Sequence, residues 1–310
     1  MMALFFCCLL VCGQKEYKGR LLDSETNLPL PYVNIGIVDK GIGTVSDEKG
    51  LFHFDLSSAK ISDIDEILFS VMGYESLLIP VKNITLVYND YVDVFITPAA
   101  FELKEVVVSN KGEWFIKDNI GYRNFGEKNY GYWKDNIALG GELATRIIAK
   151  SGLRKLKKFE FEVWHNPSDS LLLRVNIYED DGKMGRPGTS LNTSGANILC
   201  TVNSDDKMVQ VDLSPYDVYV KDDFVVSLEL LKVYGDKELG LVLSATFNNY
   251  GSYRKSSSQD KWEYLSDLNM AYYVASELMV SEKEAQRFEL RVAKKKEKTT
   301  HAIWFCDYAR

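Results

Sequence analysis

Residues 41–56 read GIGTVSDEKGLFHFDL, and this stretch decides the fold of the first part of the chain. Asp47 and Gly50 stand where a hairpin needs turn-forming residues. Phe52 and Phe54 alternate with polar residues, so in a strand both side chains point to one face and fill a core. The spacing of the acidic residues does not match the regular oxygen-ligand loop that binds calcium. We therefore interpret the stretch as the corner of a β-scaffold, and not as a ligand loop.

Short runs of period two surround this corner from Tyr17 to Ser109. They read PYVNIGIVD, EILFSVMGY, DYVDVFITP and LKEVVVS, and Gly, Pro, Asn and Asp separate them. No helical period of useful length interrupts them. This pattern predicts a small antiparallel β-sandwich. The residues expected in its core, besides the two phenylalanines, are Val33, Ile35, Ile37, Ile67, Phe69 and Val71.

The same segment resembles a known family through turn and core residues that agree in order and spacing. These residues are Gly19, Asp23, Pro29, Asn34, Gly43, Thr44, Asp47, Gly50, Phe52, Phe54, Phe69, Gly73 and Tyr74. The segment resembles the carboxypeptidase-regulatory-like domain of bacterial exported proteins. The resemblance implies a transthyretin-like β-sandwich over residues 17–109 that has no catalytic activity.

The next words, AAFELKEVVVSNKG from Ala99 to Gly112, are similar to the segment that follows this domain in TonB-dependent outer-membrane receptors. In those receptors it leads into a plug and a barrel. Only about 200 residues remain here, which is too few for a large barrel built from many strands of ~10 residues. The resemblance therefore does not imply transport. We expect Leu103, Val106 and Val108 to form a last or bridging strand.

The beginning of the chain, MMALFFCCLLVCG, is an apolar run without charge. It is shorter than the ~20 residues of a transmembrane helix and has the length of a signal-peptide core, so we interpret residues 1–13 as a signal peptide. A buried N-terminal strand is the alternative, and lipidation at Cys12 is a further one. Together with the resemblance, this run predicts export to the periplasm or the outer-membrane surface of a Gram-negative bacterium.

The bulk composition and the scattered reactive residues bound the function. The formal net charge of −7 argues against nucleic-acid binding, which needs a basic face. The three histidines are far apart, and Cys200 and Cys306, which follow the leader, have no zinc spacing. No phosphate loop, zinc helix or nucleophile elbow is present. We expect no enzyme activity and no cofactor, although the loops at 180–181 and 205–206 offer oxygen ligands for a structural calcium ion.

Residues 110–137 read as an aromatic-rich linker, because Gly, Asn and Lys alternate with tryptophans and tyrosines. These aromatic side chains either stack on a ligand or cover apolar surface of the domains, and we favour the second role.

Residues 138–275 repeat the period-two pattern in longer strands, separated by turn-rich words such as EDDGKMGRPG. Many medium strands in this length predict a second, jelly-roll-like β-sandwich, so the chain is all-β. In FEFEV, Glu160 and Glu162 alternate with phenylalanines and are expected to face solvent. The residues expected in the core are Phe159, Phe161, Val163, Leu171, Leu173, Val175, Ile177, Val209, Val211, Leu213, Phe224, Val226, Leu228, Leu230, Leu241, Leu243 and Ala245.

Residues 276–310 differ from the rest in having a weak helical stripe that ends in a basic run, Lys294 to Lys298. We predict a helical tail with a solvated surface. A helix that lies on a membrane surface is the alternative.

A ligand site is predicted in the long polar word TFNNYGSYRKSSSQDKWEYL. Tyr250, Tyr253 and Trp262 offer flat rings for stacking, and Arg254 offers hydrogen bonds to hydroxyl groups. The alternative is a hairpin whose Trp262 and Tyr264 return to the core.

These observations predict a non-enzymatic, exported envelope protein that acts as a binding or scaffolding module, with an envelope protein or a glycan as its partner. A carbohydrate-binding accessory of a polysaccharide-uptake system is the first alternative. A hydrolase is the second, and it requires two carboxylates that face each other at ~5–10 Å in a cleft.

Overall fold

The structure is a computed structural model that describes residues 16–84, 92–99, 113–126, 130–132, 138–247, 251–265 and 268–291. The chain forms two compact units. The first unit comprises residues 1–100, 138–140 and 256–261, and the second comprises 101–137, 141–255 and 262–310. Among the described residues, no helix is both long enough and apolar enough to cross a bilayer.

Several predictions concern residues outside the described ranges. They are the signal peptide at 1–13 with the lipidation site Cys12, the strand at 103–108, Cys306 and the basic run at 294–298.

The first unit is a β-sandwich of two sheets. Its elements are β1 (Glu16–Asp23), β2 (Asn34–Ile37), β3 (Ile42–Val45), β4 (Leu51–Asp55), β5 (Glu66–Ser70), β6 (Leu77–Pro80), the short helix α1 (Val81–Ile84) and β7 (Val92–Ile96). One sheet has the order β4-β1-β7 and the other the order β3-β2-β5-β6. The pair β1–β7 is parallel, whereas the sequence pattern predicted antiparallel strands throughout. A period of two is the same in both directions, so it does not reveal strand direction.

The core of the first unit confirms the predicted strand faces. Val33, Ile35, Phe52, Phe54 and Ile67 are each at most 2% exposed and belong to one apolar cluster. His53, which lies between the two phenylalanines, is exposed, as alternation requires.

The corner at 47–50 uses its carboxylate to close its own turn. Asp47 Oδ1 accepts hydrogen bonds from the backbone N–H groups of Lys49 and Leu51, each at 2.8 Å. Gly50 has a φ of 74°, and a Cβ atom at this position would lie 2.6 Å from the carbonyl oxygen of Leu21. Only glycine fits a left-handed backbone this close to a neighbouring strand. The geometry therefore supports a scaffold corner.

The second unit is a larger β-sandwich. Its strands are β8 (Glu113–Gly121), β9 (Tyr130–Tyr132), β10 (Glu142–Ile147), β11 (Arg154–His165), β12 (Ser170–Glu179), β13 (Leu199–Asn203), β14 (Met208–Asp212), β15 (Tyr219–Val220), β16 (Phe224–Tyr234), β17 (Val242–Phe247), β18 (Ser252–Lys255), β19 (Glu263–Leu265), β20 (Leu268–Met270) and β21 (Tyr273–Ser281). One sheet has the order β13-β12-β16-β10-β18-β19. The other has the order β20-β17-β11-β21-β8, with β14 and β15 also on β11 and β9 on β17.

All the core positions predicted for this unit are buried. Most of them, including Phe159, Leu173, Ile177, Phe224 and Leu243, are fully inaccessible to solvent. The chain is therefore all-β, with two sandwiches and a C-terminal helix, α2, described over residues 282–291.

Two segments differ from their predicted roles as linker and tail. Residues 113–121, predicted as linker, form β8, which pairs with β21 from Gly121↔Tyr273 to Glu113↔Ser281. Residues 276–281, predicted as the start of a helical tail, form the second half of β21, so the helix begins at 282. Arg154, which is fully buried, adds an ion pair to Asp118 of β8 at 3.1 Å. Both segments become strands because they pair with a strand that is distant in the sequence, and composition does not predict such pairing.

Candidate binding face

Four charged side chains form a row across the outer face of the six-stranded sheet. In register, Arg174 on β12 lies beside Glu229 on β16, Glu229 beside Glu142 on β10, and Glu142 beside Lys255 on β18. The row therefore reads positive, negative, negative, positive. It lies outside the core because its residues alternate with the inward-facing residues of the same strands, such as Leu173.

Arg174 and Glu229 form a buried bidentate ion pair. Arg174 Nε and Nη2 donate to the two carboxylate oxygens of Glu229 at 2.8 and 2.7 Å, and the side chains are 5% and 1% exposed. Burial is the largest single effect on the pKa of Arg174 and would lower it, but the surrounding charges and hydrogen bonds, those of Glu229 first, together outweigh burial and keep the pKa raised. Burial would likewise raise the pKa of Glu229, but the neighbouring charges and hydrogen-bond donors, Arg174 first among them, together outweigh burial and keep the pKa lowered. Both groups are therefore held in their charged forms.

Glu142 is the centre of the other half of the row, because its carboxylate accepts several hydrogen bonds. Its carboxylate accepts hydrogen bonds from Lys255 Nζ at 2.6 Å, from Ser227 Oγ at 2.5 Å and from the Tyr178 hydroxyl at 3.1 Å. Asn176 Nδ2 donates to Glu229 at 2.7 Å and lies 3.3 Å from Glu142, so one amide links the two carboxylates. The result is a connected polar network with few open positions.

Aromatic rings adjoin this network where β18 and β19 form a hairpin. Lys255 Nζ lies 4.3 Å from the centroid of the Trp262 ring, and the Tyr178 ring meets Trp262 edge-on at 6.1 Å. Tyr264 is 52% exposed and meets Tyr253 edge-on at 5.7 Å. We call the surface formed by Tyr178, Lys255, Trp262 and Tyr264 the Trp262 face. Two of its rings, Trp262 and Tyr178, contact the charged row through Lys255 and Glu142.

The structure brings some of the predicted site residues together and separates others. Tyr253 and Trp262 lie on the same side of the hairpin, but Tyr253 is only 4% exposed and donates its hydroxyl to the Gly185 carbonyl at 2.8 Å. Trp262 is partly buried. Arg254 points to the opposite side, where its Nε donates to Glu263 at 2.9 Å. Tyr250 lies outside the described residues.

Sequence reasoning missed Glu142, Tyr178 and Lys255. Alternation with core residues was a usable signal for Tyr178, since Ile177 before it was correctly placed inside. Nothing in the sequence indicated that Glu142 lies beside Lys255, because 112 residues separate them and only strand register joins them.

The loops considered for calcium use their carboxylates locally. Asp181 accepts hydrogen bonds from the backbone N–H and the hydroxyl of Thr189, each at 2.7 Å. Asp206 accepts the backbone N–H of Asn203 at 2.7 Å. In the described part of the chain, no group of three or more His, Cys, Asp or Glu side chains is arranged to hold a metal ion.

A comparison with protein families bears on the first unit. The family model described as CarboxypepD_reg-like domain matches residues 17–108. Residues 17–108 form a carboxypeptidase-regulatory-like domain. This result confirms the resemblance drawn from the turn and core residues of the corner and its flanking strands.

The comparisons with curated proteins and with solved structures add no information about function. No curated protein matches the sequence significantly. A crystal structure of the cysteine protease and lectin-like domains of Cwp84, a surface layer associated protein of Clostridium difficile, is 12% identical. That alignment covers 49% of this chain and 37% of the Cwp84 chain, with a TM-score of 0.33. A likeness this distant carries no functional argument.

Proposed function

We propose that this protein is a non-enzymatic binding module of the bacterial envelope that recognises its partner through the Trp262 face. The observation that carries the proposal is the combination of partly exposed rings, Trp262 and Tyr264, with a locked polar network beneath them. Rings with few rotatable bonds give contact area at a low entropic cost, and fixed polar groups give orientation. Such a surface suits recognition.

The covering of the carboxylates supports binding over hydrolysis. Glu142 and Glu229 lie beside each other on neighbouring strands, but each is only 1% exposed. Each also faces a cation, Lys255 or Arg174. A general acid or nucleophile must reach the substrate and hold a suitable pKa, whereas the pKa of Glu229 is lowered by its partner.

The proposed location rests on the first part of the chain. The carboxypeptidase-regulatory-like domain resembles domains of exported bacterial proteins, and the apolar run at 1–13 has the length of a signal-peptide core. The periplasm or the outer-membrane surface is the compartment we propose. Lipidation at Cys12 or the basic run at 294–298 would tether the chain to a membrane there.

A carbohydrate is the second candidate ligand, because Trp262 offers a ring for stacking and Lys255 beside it offers a hydrogen-bond donor to hydroxyl groups. In this case the protein would be an accessory of a polysaccharide-uptake system. The alternative partner is an envelope protein that packs on the same rings.

Affinity electrophoresis of the full chain through gels that contain different polysaccharides tests the carbohydrate candidate. Retardation by one glycan that is lost in Trp262→Ala supports it. Trp114→Ala is the matched control, since Trp114 is 49% exposed on β8, which belongs to the other sheet of the unit. Loss of retardation in the presence of a chelator would indicate that binding of the glycan requires a metal ion. Absence of retardation by every glycan would contradict the carbohydrate candidate and favour a protein partner.

A further inference from the structure

A separate cavity of about 220 Å³ opens on the eight-stranded sheet of the second unit. Strand β11 pairs with β21 as far as Glu160 and with β17 from Val163 onward. The cavity lies at the residues between these two pairings, Phe161 and Glu162. The segment that follows β8, including Arg123 and Phe125, forms another wall. A change of strand partner along one strand is thus the structural origin of the opening.

Two glutamates line the cavity, and they differ in how they are used. Glu160, predicted to face solvent, is 6% exposed and accepts hydrogen bonds from Arg123 Nη2 at 2.7 Å and Gln210 Nε2 at 3.0 Å. Lys158 adds an ion pair at 2.6 Å. Glu162 makes no hydrogen bond or ion pair with any described residue. The cavity therefore presents one carboxylate, Glu160, with two cationic partners, and one, Glu162, that has none among the described residues.

The remaining walls are aromatic and apolar. Phe125 is 89% exposed and Met208, opposite Glu162 in the register of β11 and β14, is 49% exposed. Tyr273 carries the guanidinium group of Arg123 over its ring at 3.7 Å from the centroid. This contact shows that the wall accommodates a cation on an aromatic face.

Charge and size together define the occupant. Glu162 has no ionic partner among the described residues, and Arg123 is already paired to Glu160. An anion entering the cavity would therefore be repelled by the Glu162 carboxylate, whereas a cation would complement it. Pockets for drug-sized ligands have volumes of about 300–1,000 Å³, so this smaller cavity suits one side chain. Aromatic and thioether walls suit the apolar stem that carries the charge.

We propose that this cavity binds a single cationic side chain, lysine or arginine, presented by a partner polypeptide. Glu162 pairs with the charged end, while Met208 and Phe125 cover the methylene stem. The site is distinct from the Trp262 face, since it is built on the other sheet of the same unit. It gives the proposed binding module a second recognition site, which prefers a cation.

The test uses the full chain with ¹³C-labelled methionine methyl groups, observed by NMR, with the Met208 signal assigned through Met208→Leu. The probe is the tripeptide acetyl-Gly-Lys-Gly-amide, and the matched neutral probe replaces lysine by norleucine. We expect a saturable shift of the Met208 methyl signal with the lysine peptide that weakens as salt is raised. The norleucine peptide should give no saturable shift.

Three variants complete the test. Glu162→Gln should weaken binding of the lysine peptide roughly fivefold, as expected for a partly exposed ion pair. Glu289→Gln, an equal charge change at an exposed position on α2, should leave the affinity unchanged. Trp262→Ala should also leave it unchanged, which separates this site from the Trp262 face. Absence of a saturable shift, equal binding of the norleucine peptide, or indifference to Glu162→Gln would each overturn the proposal.

Discussion

The buried ion pair between Arg174 and Glu229 makes the sharpest prediction about the charged row. With two hydrogen bonds at 2.8 and 2.7 Å and side chains 5% and 1% exposed, removal of either partner leaves an uncompensated buried charge. We expect Glu229→Leu and Arg174→Met each to lower the free energy of unfolding by about 3–5 kcal/mol. The double variant removes both charges and should lie within about 2 kcal/mol of the original protein. The two effects should therefore be strongly non-additive.

Tryptophan fluorescence during urea unfolding measures this effect in the second unit alone. All five tryptophans, Trp114, Trp133, Trp164, Trp262 and Trp304, lie outside residues 17–108. A domain with an unfolding free energy of about 5–15 kcal/mol tolerates each single change with a measurable folded fraction at low urea. The double-mutant cycle then isolates the interaction between the two side chains.

The pH dependence of this cycle has a defined sign. The folded-state pKa of Glu229 is lowered from the ordinary value of 4.5, because Arg174 and the other neighbouring donors together outweigh burial. A carboxyl group of this kind contributes stability above its unfolded-state pKa and loses it as the pH falls through the folded-state pKa. The original protein should therefore lose stability below about pH 4.5 more steeply than Glu229→Leu. A single-variant cost below 1 kcal/mol, or a double variant whose cost is the sum of the two singles, would refute this reasoning.

Three further predictions concern other positions. Gly50→Ala should destabilise the first unit by about 2 kcal/mol or more in pulse proteolysis, because φ is 74° and the new Cβ would clash with the Leu21 carbonyl oxygen. Gly195→Ala, at φ 75° with open space around the new Cβ, should destabilise the second unit by only about 1 kcal/mol, and equal effects would contradict the role of the clash. The pKa of Tyr74 is raised to about 12, by burial first and then by the Asp23 carboxylate, which accepts a hydrogen bond from the Tyr74 hydroxyl at 2.8 Å. In an NMR titration, Asp23→Asn should therefore lower the pKa of Tyr74 only in part, and a full return to 10.0 would show that burial is not the larger cause. Burial raises the pKa of Cys200 to about 12, so alkylation of its thiol at pH 8 should be roughly a thousandfold slower in the folded protein than in urea. Mass spectrometry of the peptide that contains Cys200 measures both rates, and comparable rates would contradict the prediction.

The alternation of apolar residues predicted most of the fold because burial on one face of a strand is a local property. Phe52, Phe54 and Ile177 lie inside as predicted, since a strand repeats every two residues whatever its partner is. Glycine and aspartate marked the corner at 47–50 because a left-handed backbone is also decided locally. The carboxypeptidase-regulatory-like domain was recognisable from these same positions.

Features that depend on distant pairing were not predictable in this way. The parallel alignment of β1 with β7, and the pairing of β8 with β21, join segments that are far apart in the sequence. The candidate site shows the same limit. Trp262 was identified as an aromatic residue in a polar stretch. Its neighbour Tyr178, and the Glu142 carboxylate that binds Tyr178, are brought beside it only by the register of four strands.

Site-specific photo-crosslinking tests the central claim, that the partner binds at the Trp262 face. A benzoylphenylalanine at position 264, where Tyr264 is 52% exposed, is compared with one at position 115, where Phe115 is 44% exposed on β8. In the full chain, illuminated within the intact envelope of the producing cell, we predict one defined adduct from position 264 that is lost when Trp262→Ala is added, and none from position 115. No adduct from position 264, equal adducts from both positions, or an adduct that persists in Trp262→Ala would contradict the claim.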